Sequence, residues 1–240
     1  MGQPTVIAVI PARLASTRFP RKVLASETGI PLIVYACRVA ERSCADRVIV
    51  ATDAEEIAEA VREAGVEVVM TGEHSNGTSR VTEAVSTLDC DIVVNVQADE
   101  PELDPEVINK SVAALIAAGA ECPMATAACP LEAGESEDPN VVKVTLDGCG
   151  EAANFSREKK DGVDQLRHLG LYVYRAGFLP KYASLAATSD EMGQRLEQLR
   201  VIGHGYRMAV ACVGAQKGGI DTPEQYAAFV KRQAGATPDS

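Results

Sequence analysis

The feature that most constrains this chain is the rhythm of its first half. Short continuous apolar runs, VIAVI at residues 6–10, RVIVA at 47–51 and IVVNV at 92–96, alternate with amphipathic stretches of helical period. A run with no polar alternation suits a strand buried on both faces, and Pro11 closes the first of them. The spacing predicts helices over 31–42, with Pro at the first turn, over 54–64, with Asp53 as N-cap, and over 78–88, where Val81, Ala84, Val85 and Leu88 share a face. Residues 66–70 add a strand, and 104–118 reads as a helix with Asp104 capping and Pro105 at its first position. Strands alternating with helices of this length predict βαβ units, hence an α/β fold with a mostly parallel sheet and helices on both faces.

After about residue 123 the rhythm changes. Strands are expected at 124–129, 141–146, 169–175 and 206–213, broken by polar loops at 132–140 and 157–165, with helices at 177–184, 191–202 and 223–233. Asp138 and Asn140 read as the start of a turn. With 240 residues and no linker or repeat, one domain is the economical reading: a first half of about 1–122, a mixed-sheet second half of about 123–233, and a frayed tail at 234–240.

Composition excludes several classes. A formal charge of −11 offers no electrostatic basis for holding a nucleic-acid backbone, so an anionic ligand must be met by locally placed Arg and Lys. The seven cysteines are odd in number and form no CxxC pair, which favours buried free thiols in a reducing cytoplasm over disulfides or zinc. The apolar run at 4–10 is too short for a signal peptide or a membrane span.

Three segments carry chemistry. The loop PARLASTRFPRKVL at 11–24 follows the first strand, where open α/β sheets bind ligands. It holds Arg13, Arg18, Arg21 and Lys22, with Ser16 and Thr17 as small hydroxyl donors, a set suited to a triphosphate. Neither GxGxxG nor a P-loop is present. VNVQADEP at 94–101 ends a strand with Asp99 and Glu100, where a carboxylate can hold Mg²⁺ against phosphate oxygens, and Gln97 can face a base or sugar. In GGIDTPE at 218–224, Thr222 is the better helix cap, with Pro223 at the first helical position, which leaves Asp221 without a local structural task.

Plainer readings accompany each. A basic loop can carry ordinary ion pairs, and Asp99 can cap a turn. His168 can be a satisfied strand histidine, and Glu197 with Arg200 a helix-surface pair. Asp53 is read as a helix cap and nothing more. Tyr174 is taken as the core candidate, on the expectation that Tyr172 and Tyr174 point to opposite faces.

Together, PARLASTRFPxK, ATD, NGTSR, NVQxDEP, DPNxVK, FSR, HLGLYxYR, LEQLR and GIDTPE occur in the order and rough spacing of bacterial CMP-Kdo synthetases, over about residues 6–229. The chain resembles that family. The resemblance implies a three-layer, Rossmann-like nucleotide-diphospho-sugar-transferase fold and a magnesium-dependent transfer of CMP from CTP to 3-deoxy-manno-octulosonate (Kdo), for lipopolysaccharide synthesis, in a cytoplasmic homodimer. It implies that Arg13, Ser16, Arg18, Lys22, Asn76, Thr78, Arg80 and Gln97 meet the nucleotide, and that Asp99 and Asp221 hold the metal. Lys22, Asp99 and Asp221 form the catalytic set, while Arg157, His168, Tyr172 and Glu197 bind the sugar acid. The chain departs from the family pattern in Ala98 for Gly, Arg21-Lys22-Val23 for Gly-Lys-Pro, Gln194 for Glu, and a shorter segment between Arg157 and His168. These departures lie mostly on the sugar side and keep two alternatives open: a cytidylyltransferase for another 2-keto sugar acid, or a non-catalytic nucleotide-binding homologue.

Overall fold

A computed structural model describes residues 2–16, 18–74 and 76–235. Thr17, one of the expected loop donors, and the tail from Ala236 lie outside them. The chain divides into two compact units of interleaved segments, one of Ile7–Asp89, Asn95–Pro105 and the residues from Lys217, the other of the residues up to Val6, Cys90–Val94 and Glu106–Gln216.

In the first unit β1 (Val6–Ala12), β2 (Arg47–Thr52) and β3 (Glu67–Met70) lie parallel in the order β3-β2-β1. The apolar runs became the central strands because every residue from Val6 to Ile10 is buried. Pro11 does not close β1. It pairs in register with Ala51, and the strand runs on to Ala12 opposite Thr52. Parallel pairing therefore brings Arg13, Asp53 and Thr71, the residues after each strand, to one carboxyl end. The segment after residue 95 joins there too, with the Val96 N–H donating to the Val9 carbonyl at 3.0 Å.

Helix α1 (Leu32–Glu41) starts after Pro31 and buries Leu32, Ile33, Val34, Ala36, Cys37, Val39 and Ala40, the apolar stripe its spacing predicts. Helix α2 (Glu55–Glu63) is capped by Ala54, not by Asp53, which turns instead to an arginine. Helix α3 (Gly77–Val85) starts at an Asn76 cap whose Oδ1 accepts the Ser79 N–H at 2.8 Å. The last helix, α8 (Pro223–Gly235), extends through two residues expected to be frayed. It packs Tyr226 and Phe229 with Leu32 and Ile220 into a small core, where Phe19 and Tyr35 add their rings.

The second unit orders its strands β4 (Ile92–Asn95), β8 (Leu166–Arg175), β5 (Met124–Cys129) and β9 (Met208–Cys212). Strand β5 runs antiparallel to β8 and parallel to β9. β6 (Lys143–Leu146) and β7 (Ala152–Ser156) form an antiparallel pair whose first strand also meets β8. β7 was not expected. Its AANFS run has one strong β-former in five residues, and cross-strand pairing with β6 makes it a strand. Helices α4 (Pro105–Ala117), α5 (Leu179–Ser184), α6 (Ser189–Gln194) and α7 (Gln198–Gly203) complete the unit.

The single helix expected over 191–202 is two. Arg195 adopts a left-handed conformation (φ +55°) that ends α6, and Arg200 reaches back to clasp Glu191 with two hydrogen bonds. Arg200 thus pairs with Glu191 rather than with Glu197. Tyr172 and Tyr174 lie two residues apart on β8 and share a side, their ring centroids 6.4 Å apart, as a period of two requires. The Asp138 turn forms as expected, with Oδ1 accepting the Asn140 N–H at 2.8 Å. The seven cysteines are free thiols, but Cys44, Cys149 and Cys212 are exposed rather than buried. Among the described residues no helix is long and apolar enough to cross a membrane.

Candidate active site

A cavity of about 470 Å³ opens at the carboxyl end of β1. Its lining includes Arg13, Ser16, Arg18, Lys22, Gln97, Asp99 and Asp221, all singled out from sequence, together with Pro11, Ala15 and Ala98.

Its centre is Lys22. The loop after β1 turns at Arg21, which sits in the left-handed region at φ +58°, and a short 3₁₀ turn, Lys22–Leu24, follows. Left-handed backbone is costly for a residue with a Cβ, which accounts for the glycine usual in the family at this place. Here Arg21 is an exposed ion-pair partner of Glu56. The turn directs Lys22 inward until its side chain is only 10% exposed.

The Lys22 ammonium donates to three oxygens: Asp99 Oδ2 at 2.6 Å, the Ile220 carbonyl at 2.7 Å and Asp221 Oδ1 at 2.9 Å. Arg18 meets the other oxygen of Asp221 at 2.9 Å. Burial works to lower the Lys22 pKa, but the charges and hydrogen bonds of Asp99 and Asp221 more than offset it, so the pKa is raised and the ammonium stays charged.

The two aspartates are 122 positions apart in sequence and are brought together by backbone. The Ile220 N–H donates to the Asp99 carbonyl at 2.8 Å. Gly219 passes so close that a Cβ there would lie 3.1 Å from Glu100 Oε1 and 3.2 Å from the Asp99 carbonyl oxygen. Thr222 caps α8, its Oγ1 accepting the Gln225 N–H at 3.3 Å, which leaves the Asp221 carboxylate to Lys22 and Arg18. Behind them Glu102, its side chain 11% exposed, pairs with both Lys217 and Arg232 and ties α8 to the segment that carries Asp99. Ala98 is buried with no positive φ, so its methyl carries no backbone penalty.

Asn76, Thr78 and Arg80 do not line the cavity. Asn76 caps α3, and Thr78 is buried. Arg80, 3% exposed, is held by Asp53 Oδ2 at 2.7 Å, by Thr71 Oγ1 and by the Gly72 carbonyl. Its guanidinium thus joins the ends of β2 and β3 to α3, and α3 begins at Gly77, where a Cβ would stand 3.3 Å from Pro11 of the cavity wall. The pairing of Asp53 with Arg80 was not legible from sequence, since 27 residues separate them and neither lies in the other's helix.

In the second unit His168 and Tyr172 come together with ring centroids 5.6 Å apart. His168 is buried at 2.9 Å from Thr126 Oγ1, whose own hydrogen goes to the Leu171 carbonyl at 2.7 Å. Imidazole Nε2–H is therefore the donor. Burial pushes its pKa down to about 3, so the ring is neutral. The Tyr172 hydroxyl donates to Gln198 Oε1 at 3.0 Å, and burial raises its pKa. Gln198 is a buried polar residue that sequence reasoning passed over; its place beside Glu197 in LEQLR was the available signal.

Arg157 is hydrogen-bonded to neighbouring segments of the same unit. Its backbone N–H and Nε donate to Gln194 Oε1 and carbonyl at 3.2 and 3.1 Å, and Nη1 donates to the Pro139 carbonyl. Lys143, fully buried and also missed, supports it by donating to the Arg157 and Asp138 carbonyls.

A cavity lined by cations and two aspartates at the carboxyl end of a parallel sheet is chemistry suited to nucleotidyl transfer, and comparison with known proteins gives the family. The Cytidylyltransferase family profile matches residues 7–208, and the chain belongs to that family. More narrowly, it is 43% identical over 236 residues, 92% of each chain, to the 3-deoxy-manno-octulosonate cytidylyltransferase of Polynucleobacter necessarius subsp. necessarius (strain STIR1). It is also 43% identical to that of Acidovorax sp. (strain JS42), with 90% of this chain and 92% of the relative covered. A solved structure of CMP:2-keto-3-deoxy-manno-octonic acid synthetase complexed with CTP aligns with a TM-score of 0.91 and 31% identity, over 96% of this chain and 99% of that one. A cytidylyltransferase from Leptospira borgpetersenii serovar Hardjo-bovis (strain JB197), 16% identical with a TM-score of 0.69, shares the fold over 98% of this chain and 89% of its own. The mixed, mostly parallel α/β fold expected from sequence is the fold of the family.

Proposed function

We propose that this chain transfers CMP from CTP to the anomeric hydroxyl of Kdo, giving CMP-Kdo and pyrophosphate, with the cavity around Lys22 as the site of nucleotide activation. The observation that carries the reading is the convergence of Asp99 and Asp221 on one ammonium inside a cavity that also receives Arg13 and Arg18. The relatives' identity over nine-tenths of the chain supports Kdo as the sugar acid, and CMP-Kdo as a lipopolysaccharide precursor made in the cytoplasm. A homodimer is the expected assembly.

Two carboxylates whose oxygens reach the same cation within 3 Å suit Mg²⁺, which takes one or two protein carboxylates and completes its shell with water and phosphate oxygens. Among the described residues no cluster of three or more His, Cys, Asp and Glu competes with this pair as a metal site. Mg²⁺ held by Asp99 and Asp221 would neutralise phosphate charge and lower the pKa of the attacking hydroxyl.

The chain's own residues supply position and charge. Arg13, Arg18 and Lys22 draw the triphosphate into the cavity, Ser16 donates to a phosphate oxygen, and Gln97 faces the base or ribose. Asn76, Thr78 and Arg80 set the wall at the start of α3. The sugar hydroxyl attacks the α-phosphorus in line, the α–β bridging oxygen leaves with pyrophosphate, and cationic side chains take up the charge that develops. The family resemblance assigns the sugar acid to Arg157, His168, Tyr172 and Glu197, of which His168 is neutral and so acts by hydrogen bonding.

Pyrophosphate release from CTP on addition of Kdo and Mg²⁺ tests the reading. Asp99→Asn should lower turnover at least about 100-fold, with the thermal midpoint little changed. Near-normal turnover would remove Asp99 from the metal role, turnover only with a different 2-keto acid would reassign the sugar, and CTP binding without turnover of any acid would make the chain a non-catalytic homologue.

A further inference from the structure

The Lys22 contacts have the character of a coordination shell. An ammonium has three hydrogens, and all three are directed to oxygens of the same small volume: one from Asp99, one from Asp221 and the Ile220 carbonyl between them. The remaining oxygen of Asp221 goes to Arg18. The four charged groups sum to zero: Asp99 and Asp221 carry −2, and Lys22 and Arg18 carry +2. Lys22 itself is largely withdrawn from solvent, so its attraction to the carboxylates is only weakly screened.

We infer that Lys22 guards the Asp99–Asp221 pair against divalent cations, so that a metal ion gains the site only when an anionic triphosphate arrives to draw Lys22 and Arg18 away. The inference rests on reading that pair as the metal carboxylates, and adds an order of events to it. A divalent ion approaching the nucleotide-free chain meets a neutral cluster in which three of the four carboxylate oxygens already have a cationic partner. When Lys22 and Arg18 turn to phosphate oxygens, the same two carboxylates present −2 to the ion. One pair of lysine and arginine side chains thus serves both as cover for the carboxylates and as ligands for the triphosphate. Metal and nucleotide binding become coupled, and the coupling is reciprocal. The Ile220 carbonyl is the third leg of the tripod and fixes the ammonium between the aspartates rather than beside one of them.

The test is titration of the nucleotide-free protein with Mn²⁺, following the free ion by electron paramagnetic resonance. Lys22→Met removes the charge and keeps the length of the stem, so the variant should bind Mn²⁺ at least about tenfold more tightly than the wild type. The added binding should disappear in the double variant Lys22→Met/Asp221→Asn. A second readout guards against a folding defect. Removing the lysine leaves two carboxylates facing each other, so Mn²⁺ should raise the thermal midpoint of Lys22→Met, and of Lys22→Gln, more than that of the wild type. Equal Mn²⁺ affinity in the wild type and Lys22→Met, lost in both on Asp221→Asn, overturns the guarding role and leaves the metal site standing. Tight binding in Lys22→Met that survives Asp221→Asn instead overturns the assignment of the metal to this pair, and with it the inference.

Discussion

Gly219 offers the sharpest test of how the fold sets the site. Gly219→Ala would place a methyl 3.1 Å from Glu100 Oε1, 3.3 Å from Glu100 Cδ and 3.2 Å from the Asp99 carbonyl oxygen. The Glu100 side chain can swing aside, but the Asp99 carbonyl is backbone and is already bonded to the Ile220 N–H at 2.8 Å. The strand-end segment and the Gly218–Asp221 segment must therefore part by a few tenths of an ångström. Overpacking of this size costs about 1–2 kcal/mol, which lowers the thermal midpoint by roughly 2–8 °C for a chain of this length. The same shift moves Asp221 relative to Asp99. A displacement near 1 Å can cost 100-fold in rate, so one of a few tenths should lower kcat/KM about 3–10-fold. The assay is thermal unfolding beside steady-state pyrophosphate release, with Gly218→Ala as the control, because a Cβ at Gly218 meets nothing within 4 Å. Equal stability and turnover in the two variants would refute the argument that the backbone crossing holds the aspartates together.

Two further outcomes follow from buried groups. Arg80→Lys keeps the charge but loses the fork that spans Asp53, Thr71 and Gly72, so stability should fall by about 1–3 kcal/mol and the KM for CTP should rise several-fold with kcat changed less; a fall in kcat at unchanged KM would contradict a positioning role. His168 has its pKa depressed by burial to about 3, below its unfolded value near 6.5, so between those values the unfolded chain binds the extra proton. Stability is then complete above pH 6.5 and is lost at about 1.4 kcal/mol per pH unit as pH falls toward 3. Chemical denaturation across pH 4–8 should show that slope, reduced in His168→Gln, and an unchanged slope would mean that the imidazole does not titrate on unfolding.

Much of the fold was legible because local periodicity reports burial. The VIAVI, RVIVA and IVVNV runs became strands, and α1 buried the stripe its spacing marked. The boundaries that were missed share one cause. Pro11 lacks an N–H, yet the strand continued because its partner β2 holds the register beyond it. Asp53 satisfied a capping rule, but a buried guanidinium 27 residues away won its carboxylate. Residues 191–202 have helical periodicity throughout, and the break at Arg195 depends on Arg200 clasping Glu191, a contact that exists only once the chain has turned.

The order of residue types along the chain determined which chemistry was available. Cations concentrated in one loop of an acidic protein, and carboxylates at a strand end and before a helix, are local facts that any reading of the sequence recovers. Tertiary structure alone decided their distances. Lys22, Asp99 and Asp221 meet at one point because a close glycine crossing and the Ile220–Asp99 hydrogen bond bring together segments 122 positions apart, and no periodicity encodes a contact across that separation. It also decided that Arg80 braces the wall from within, since a buried guanidinium with three polar partners looks the same in sequence as one that faces a phosphate.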